Sequence, residues 1–227
     1  MSLTHKPMLT SRTALFQRRI LLVDDHPLTR HGLAQLIAQQ PDLAVCGEAG
    51  TAEEALDYTR SLQPDLALVD VTLPGKPGLE LIKDLTTLFP EVAVLVFSMH
   101  DESLYAERAL RAGARGYLMK SVGGEEMLKA LRHVLAGKVY LSEELSARIL
   151  NSMSGSLHRP AGVLSALSDR EFEVFQLVGE GLATREIGLR LHISGKTVET
   201  HRLRIREKLG LKGPSELTKY AVRWTGT

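Results

Sequence analysis

Five short runs rich in aliphatic and β-branched residues recur along the chain: RILLVDD (19–25), LAVCGEA (43–49), PDLALVD (64–70), VAVLVFS (92–98) and ARGYLMK (114–120). Segments with helical spacing separate and follow them: Leu28–Ala38, Ala52–Leu62, Leu79–Leu88, Ser103–Ala112 and Glu125–Leu135. Strands joined through helices run parallel, and a parallel sheet needs cover on both faces. The pattern therefore predicts an α/β doubly wound, five-stranded parallel sheet. The third and fourth runs are almost wholly apolar, as middle strands of such a sheet are. Function in these folds sits at the carboxyl ends of the strands. Asp24 and Asp25 end the first run, Asp70 the third, Ser98 the fourth and Lys120 the fifth, so separate stretches of chain converge on one edge.

A carboxylate at the mouth of an apolar strand costs free energy unless something holds it. Asp24 and Asp25 facing Asp70 across the sheet would repel each other if dry and unpaired. A hard divalent cation, Mg²⁺, resolves this, because it takes carboxylate and carbonyl oxygens and keeps waters that a phosphoryl group can replace. The Thr72 carbonyl, just past Asp70, is placed to be the non-acidic ligand. Asp70 is then a candidate nucleophile that forms an aspartyl phosphate, with Lys120 as a fixed positive charge for the phosphoryl oxygens. Singly, each of these residues has a plainer reading: an aspartate at a strand end is a cap or turn former, and Lys120 a solvated lysine. Their joint placement favours the metal and phosphate site. Pro74 and Gly75 read as loop shapers, and Gly78 as helping the chain enter the next helix.

Gly137 closes the last helix of this unit. Residues 138–165 form a linker with a possible short helix, SEELSARILNSM, followed by SGSLHRPAG, whose Ser, Gly and Pro content marks a domain boundary. Beyond it lie four short helical segments, a small all-α domain over 166–227. Ser168 and Glu171 have capping-box spacing, and Ser194 or Thr197 could start the third helix. Glu186, Ile187, Leu191, Ile193, Val198, Ile205 and Leu209 are spaced to pack around a small core. A helix, a tight turn at LHIS and a longer second helix have the form of a helix-turn-helix. That second helix carries Lys196, His201, Arg202, Arg204, Arg206 and Lys208 against Glu199 and Glu207, which suits phosphate and base contacts but also suits a merely solvated helix.

Charge divides along the same line. Residues 20–150 carry 12 Lys/Arg against 19 Asp/Glu, and residues 151–227 carry 12 against 8, although the whole chain of 227 residues has a net charge of only +1. A basic second part suits a polyanionic partner. The single cysteine, Cys46, excludes an intrachain disulfide framework, fits a reducing compartment and reads as an inert, buried thiol. Residues 1–19 read as a flexible leader without the apolar core of a signal peptide. No run of 18 apolar residues suggests a membrane span, and the simplest expectation is a cytoplasmic protein.

Residues 20–137 resemble the receiver domain of two-component response regulators: LLVDDHPLTRHGL, PDLALVDVTLPGKPGLELI, VLVFSMHD and ALRAGARGYLMKS stand in that family's order and spacing. The segment LSDREFEVFQLVGEGLATREIGLRLHISGKTVETHRLRIREKLGL is similar to the LuxR-type DNA-binding module that follows such receivers in the NarL/FixJ subfamily. The resemblance implies a flavodoxin-like receiver and phosphorylation of Asp70 by a sensor histidine kinase. It implies Mg²⁺ held by Asp24, Asp25, Asp70 and the Thr72 carbonyl, with Asp25 the more direct ligand and Asp24 acting partly through water. Lys120 contacts the phosphoryl group, Ser98 takes the place of the switch hydroxyl and Tyr117 that of the switch aromatic, which turns inward as Ser98 is drawn to the phosphoryl group. Read by themselves, Ser98 is a turn hydroxyl and Tyr117 a half-buried aromatic. Matching positions imply that Lys196, Thr200, His201 and Arg204 approach double-stranded DNA, with Lys208 touching phosphate or solvent.

Glu171 matches the module's acid and Gly181 its helix-ending glycine. Glu199 departs from the lysine common at its place, and either accepts from a cytosine or restrains Arg202 or Arg206. The final helix, PSELTKYAV, implies a homodimer on DNA. The function implied is a transcription regulator gated by phosphorylation, with no enzymatic activity beyond self-catalysed phosphoryl uptake and loss. Two other classes stand beside it on the residues alone: a metal-dependent phosphohydrolase using Asp70, and an interaction module whose basic helix never meets DNA.

Overall fold

A computed structural model of the chain describes residues 17–147, 164 and 166–225. Strands β1 (Arg18–Val23), β2 (Leu43–Ala49), β3 (Leu66–Val69), β4 (Ala93–Ser98) and β5 (Tyr117–Met119) form one parallel sheet in the order β2-β1-β3-β4-β5. Helices α1 (Pro27–Ala38) and α5 (Gly124–Leu135) cover one face. Helices α2 (Ala52–Leu62), α3 (Gly78–Leu88) and α4 (Glu102–Arg111) cover the other. The two faces of each strand feed different cores: Ile20 and Leu22 pack with Leu131 of α5, while Leu21 and Val23 pack with Ala55 of α2 and Ile82 of α3. Period-two side chains and burial on both faces explain why the strands read as continuous apolar runs.

Strands β1, β3 and β5 end one or two residues before the sequence runs do, just ahead of Asp24, Asp70 and Lys120, whose backbone N–H groups still bond to the neighbouring strands. At the start, Arg18 and Arg19 belong to β1 rather than to a leader ending at residue 19. Arg18 pairs with Asp65 at 2.7 Å and the Arg19 N–H donates to the same carboxylate at 2.7 Å. The rest of the expected leader and most of the Ser/Gly/Pro linker lie outside the described residues. Residues 138–147 pack back on the sheet domain: Tyr140 bridges Gly116, the Tyr140 hydroxyl meets Glu126, and Leu145 is buried. Residues 143–147 are helical, within the expected short helix, the rest of which lies outside the described residues.

The carboxyl-terminal part is four helices: α6 (Asp169–Gly179), α7 (Thr184–Arg190), α8 (Gly195–Leu209) and α9 (Pro214–Thr225). Its core holds Phe172, Phe175, Ile187, Val198, Ile205, Leu217 and Ala221. Ser168 and Glu171 form the expected capping box, and Ser194, not Thr197, caps α8. Gly181, at φ 84, lets the chain leave α6 through a left-handed turn that other residues enter at a cost. Glu186 is not in the core: it is exposed, and its carboxylate accepts the Ala183 N–H at 2.7 Å, capping α7. Ile193 and Leu209 are only partly buried. No helix among the described residues is long and apolar enough to cross a membrane.

Every residue of α6 is buried, because the helix packs on α8 and α9 and its first turns also press on the sheet domain. Asp169 receives Lys83 of α3 at 2.6 Å and Arg108 of α4 at 3.2 Å. The Arg108 guanidinium also donates to the Leu167 and Leu164 carbonyls and lies 4.1 Å over the Phe172 ring. Arg170 donates to the Gly75 carbonyl at 3.3 Å. Each charge taken from water at this junction thus meets a partner, as buried charges require.

Candidate functional site

In a sheet of order 2-1-3-4-5 the strand order reverses between β1 and β3, leaving a crevice at their carboxyl ends. Asp24 and Asp25 follow β1, and Asp70 follows β3. Two backbone bonds fix the aspartate positions: Asp70 N–H to the Val23 carbonyl at 2.8 Å and Asp24 N–H to the Ala49 carbonyl at 3.0 Å. Gly78 packs α3 against this corner, where an added Cβ would strike the Asp70 carbonyl and the Val71 backbone. Lys120, held by its N–H to the Ser98 carbonyl at 2.7 Å, reaches back across the edge. Its ammonium lies 2.6 Å from Asp24 Oδ2 and 2.6 Å from Asp70 Oδ2.

Asp24 and Asp70 are 3% and 4% exposed, so their charges depend on these partners. Burial raises the Asp70 pKa, with the Lys120 charge opposing it and the Asp24 charge adding to it. Burial works against the Lys120 charge, but Asp70 and Asp24 outweigh it and raise the Lys120 pKa. Asp25 is more open, yet its Oδ1 is buried without a well-formed hydrogen bond, the His26 Nδ1 lying 2.6 Å away. Ligand atoms of Asp24, Asp25, His26 and Asp70 all lie within 4.8 Å of one another. An orphaned carboxylate oxygen beside two buried carboxylates fits a small, hard cation.

The Thr72 N–H donates to Asp70 Oδ1 at 3.2 Å, and the Thr72 hydroxyl meets His100 Nε2 at 2.8 Å. Ser98 is fully buried, and its hydroxyl accepts the His100 N–H at 3.3 Å. Tyr117 differs from the expected half-buried aromatic: it is 1% exposed, already turned inward. Its hydroxyl has a partner there, donating to the His100 carbonyl at 2.9 Å, so the ring can stay in the core. His100 is pushed down to about 4 by burial and by the Arg190 and Lys120 charges, and is therefore a neutral ring at ordinary pH.

On the second site, Lys196, Thr200 and Arg204 stand four residues apart on the exposed side of α8, opposite buried Val198 and Ile205. Lys208, four residues past Arg204 and also exposed, continues that row, whereas His201 stands off it. His201 is half-buried, its Nδ1 has no partner among the described residues, and burial together with Arg170 lowers its pKa. The Lys208 ammonium donates to Glu171 of α6 at 2.6 Å. Glu199 accepts from the Thr184 hydroxyl at 2.5 Å and lies 3.7 Å from Arg202, which also donates to Thr184 at 2.9 Å. Of the two readings open for Glu199, restraint of Arg202 is the one present here.

Sequence reasoning passed over His26 and His100, which lie within quoted motifs, and the Asp169 pairs, for which spacing holds no signal. Cys46 is only partly buried rather than buried as expected; its thiol donates to the Ile20 carbonyl at 3.4 Å and burial raises its pKa.

Residues 20–132 match the family described as response regulator receiver domain, and residues 165–221 that described as bacterial regulatory proteins, luxR family. The chain is 36% identical over 206 residues to the response regulator GacA of Pseudomonas aeruginosa, covering 90% of this chain and 95% of that protein. A two-component response regulator of the LuxR family from Aurantimonas sp. SI85-9A1 is similar at 37% identity and a TM-score of 0.57, over 61% of this chain and 99% of that one. RcsB of Salmonella enterica serovar Typhimurium, solved bound to the promoter rprA with phosphomimetic BeF3-, is similar at 25% identity and a TM-score of 0.60, over 91% of this chain and 98% of that one.

Proposed function

This chain belongs to the two-component response regulators that join a receiver domain to a LuxR-type DNA-binding domain, and from that premise we propose which residues perform the switch and the DNA contact. Asp70 takes a phosphoryl group from a partner histidine kinase. A carboxylate oxygen bonds to phosphorus, the phosphorus–nitrogen bond of the kinase phosphohistidine breaks, and its electron pair stays with the imidazole. Asp24, Asp25, the Asp70 carboxylate and the Thr72 backbone carbonyl hold Mg²⁺, which when bound supplies positive charge against the crowded oxygens. Lys120 passes from the Asp70 carboxylate to a phosphoryl oxygen, and the Ser98 hydroxyl turns to another. Tyr117 holds the loop after β4 from inside the core.

The observation that carries this reading is the pair of buried carboxylates bridged by one ammonium at the strand-order reversal, beside the orphaned Asp25 oxygen. No further acid is needed, because the chemistry ends on the protein and turns over no separate substrate. The working units are a receiver over 20–137, extended to Arg18 by β1, a connecting stretch over 138–165, and a DNA-binding unit over 166–227.

Lys196, Thr200 and Arg204 form the face offered to the major groove of double-stranded DNA. His201 stands off it toward the core, and Lys208, at the end of the row, braces α8 on α6. RcsB, a similar protein, is solved bound to promoter DNA. Two copies on one site, joined through α9, would add their contacts by tethering.

Incubation of the full chain with Mg²⁺ and acetyl phosphate tests the acidic site. One phosphoryl adduct by intact mass, mapped to Asp70 and absent in Asp70→Asn, is the expected result. An adduct at another residue, or none, would contradict it.

A further inference from the structure

We propose that His100 is the positioning residue through which the Asp70 pocket controls docking of the DNA-binding unit, by way of an aromatic chain from His100 through Tyr105 to Phe172. The inference rests on Asp70 being the phosphorylated residue. His100 has three ties to the pocket, and two of them involve groups that phosphorylation alters. Its Nε2 meets the Thr72 hydroxyl at 2.8 Å, its N–H donates to Ser98 Oγ at 3.3 Å, and its carbonyl accepts from Tyr117 at 2.9 Å. Thr72 is itself tied to Asp70 Oδ1 through its N–H. An acyl phosphate oxygen is a weaker acceptor than a carboxylate oxygen, and a Ser98 side chain that rotates to place its hydroxyl on the phosphoryl group carries its Oγ away from the His100 N–H. Two of the three ties therefore change together.

The other side of the ring faces the docked helices. The His100 and Tyr105 rings are 4.6 Å apart, and Tyr105 meets Phe172 of α6 edge-on at 5.2 Å. Phe172 in turn lies under the Arg108 guanidinium, the group that pairs with Asp169 and with the Leu164 and Leu167 carbonyls. His100 and Tyr105 also line a small cavity closed from the opposite side by Glu173, Gln176 and Leu191. Gln176 Oε1 is buried there with no hydrogen-bond partner among the described residues, so the seam is imperfectly joined at the point where His100 abuts it. Tyr117 is already inward, which leaves the loop at His100, rather than an incoming aromatic, as the part free to move.

Separation is read as the distance between spin labels on Arg60→Cys and Lys219→Cys in a Cys46→Ser chain, with and without Mg²⁺ and acetyl phosphate, alongside phosphoryl uptake by mass. Asp169→Ala, which removes the main ionic link across the seam, supplies the separated reference distance. The unaltered seam is expected to lengthen toward that reference on phosphoryl uptake. In His100→Ala uptake continues and the unphosphorylated distance stays docked, because Arg108 and Lys83 still hold Asp169, but the lengthening is lost. Tyr105→Leu, which breaks the same chain one ring later, loses it too. A role confined to folding would lower thermal stability and uptake together. Lengthening in both variants equal to that of the parent chain would overturn the role of His100 while leaving Asp70 phosphorylation intact. Absence of uptake in the parent chain would overturn the phosphorylation reading itself, and this inference with it.

Discussion

At the scale of single residues, the acidic pocket is set by how few charges must balance. One ammonium serves two buried carboxylates, and in the function proposed Lys120 also meets the phosphoryl oxygens. Lys120→Ala is expected to slow phosphoryl uptake about 100-fold, the usual loss for one preorganised charge donor, measured by intact mass against time. Glu173 makes a separate prediction. Burial holds its carboxyl up at about 7, with Arg170 opposing, whereas an unfolded chain releases that proton near 4.5. Between those values the folded state binds more protons than the unfolded one. The contribution is therefore full below pH 4.5 and is lost as pH rises through about 7. Urea midpoints from about pH 5 to about pH 8 should show this decline in the parent chain and a flatter profile in Glu173→Gln; equal slopes would contradict the assignment. The aspartates and Lys120 were legible in sequence because each sits where an apolar run stops. His100 was not, because its meaning lies in partners at 72, 98, 105 and 117 that only the folded loop gathers.

At the scale of elements, alternation fixes the sheet and its cover, and the helix-turn-helix follows from caps at Ser168 and Ser194 and the left-handed exit at Gly181. Partners, not helical spacing, distinguish two exposed cations one turn apart on α8. Arg204 is on the exposed side of α8, whereas Lys208 pairs with Glu171, whose carboxylate also caps α6. Arg204→Ala should lower the salt slope of DNA binding by about 1 and leave stability nearly unchanged. Lys208→Ala should cost about 1 kcal/mol or less of stability, the scale of a partly exposed ion pair, with little change in that slope. Duplex titrations at several salt concentrations and urea unfolding distinguish the two. Ser168→Ala removes a reciprocal cap and is expected to destabilise the carboxyl-terminal unit by about 1 kcal/mol. The sequence marked this cap through residues three apart, but nothing in it marked the Lys208–Glu171 pair, 37 residues apart.

At the scale of the whole molecule, two units of opposite charge are held face to face by Lys83, Arg108 and Asp169, while Lys196, Thr200 and Arg204 on α8 remain exposed. Docking therefore does not bury the DNA face in this state. What it fixes is the placement of that face relative to the receiver, and so the geometry in which two copies could meet on DNA. This level was the least readable in sequence, since the contact joins residues 61 apart across a linker and depends on the shapes of both units. The proposed phosphorylation of Asp70 governs DNA binding. Genomic-fragment binding by the full chain and by Asp70→Ala, each with Mg²⁺ and acetyl phosphate, followed by sequencing and titration of the recovered sites, tests this. A phosphodonor-dependent gain in affinity, on the order of 5–150-fold for a typical coupling, is expected in the parent chain and none in Asp70→Ala. An equal gain in both would contradict it.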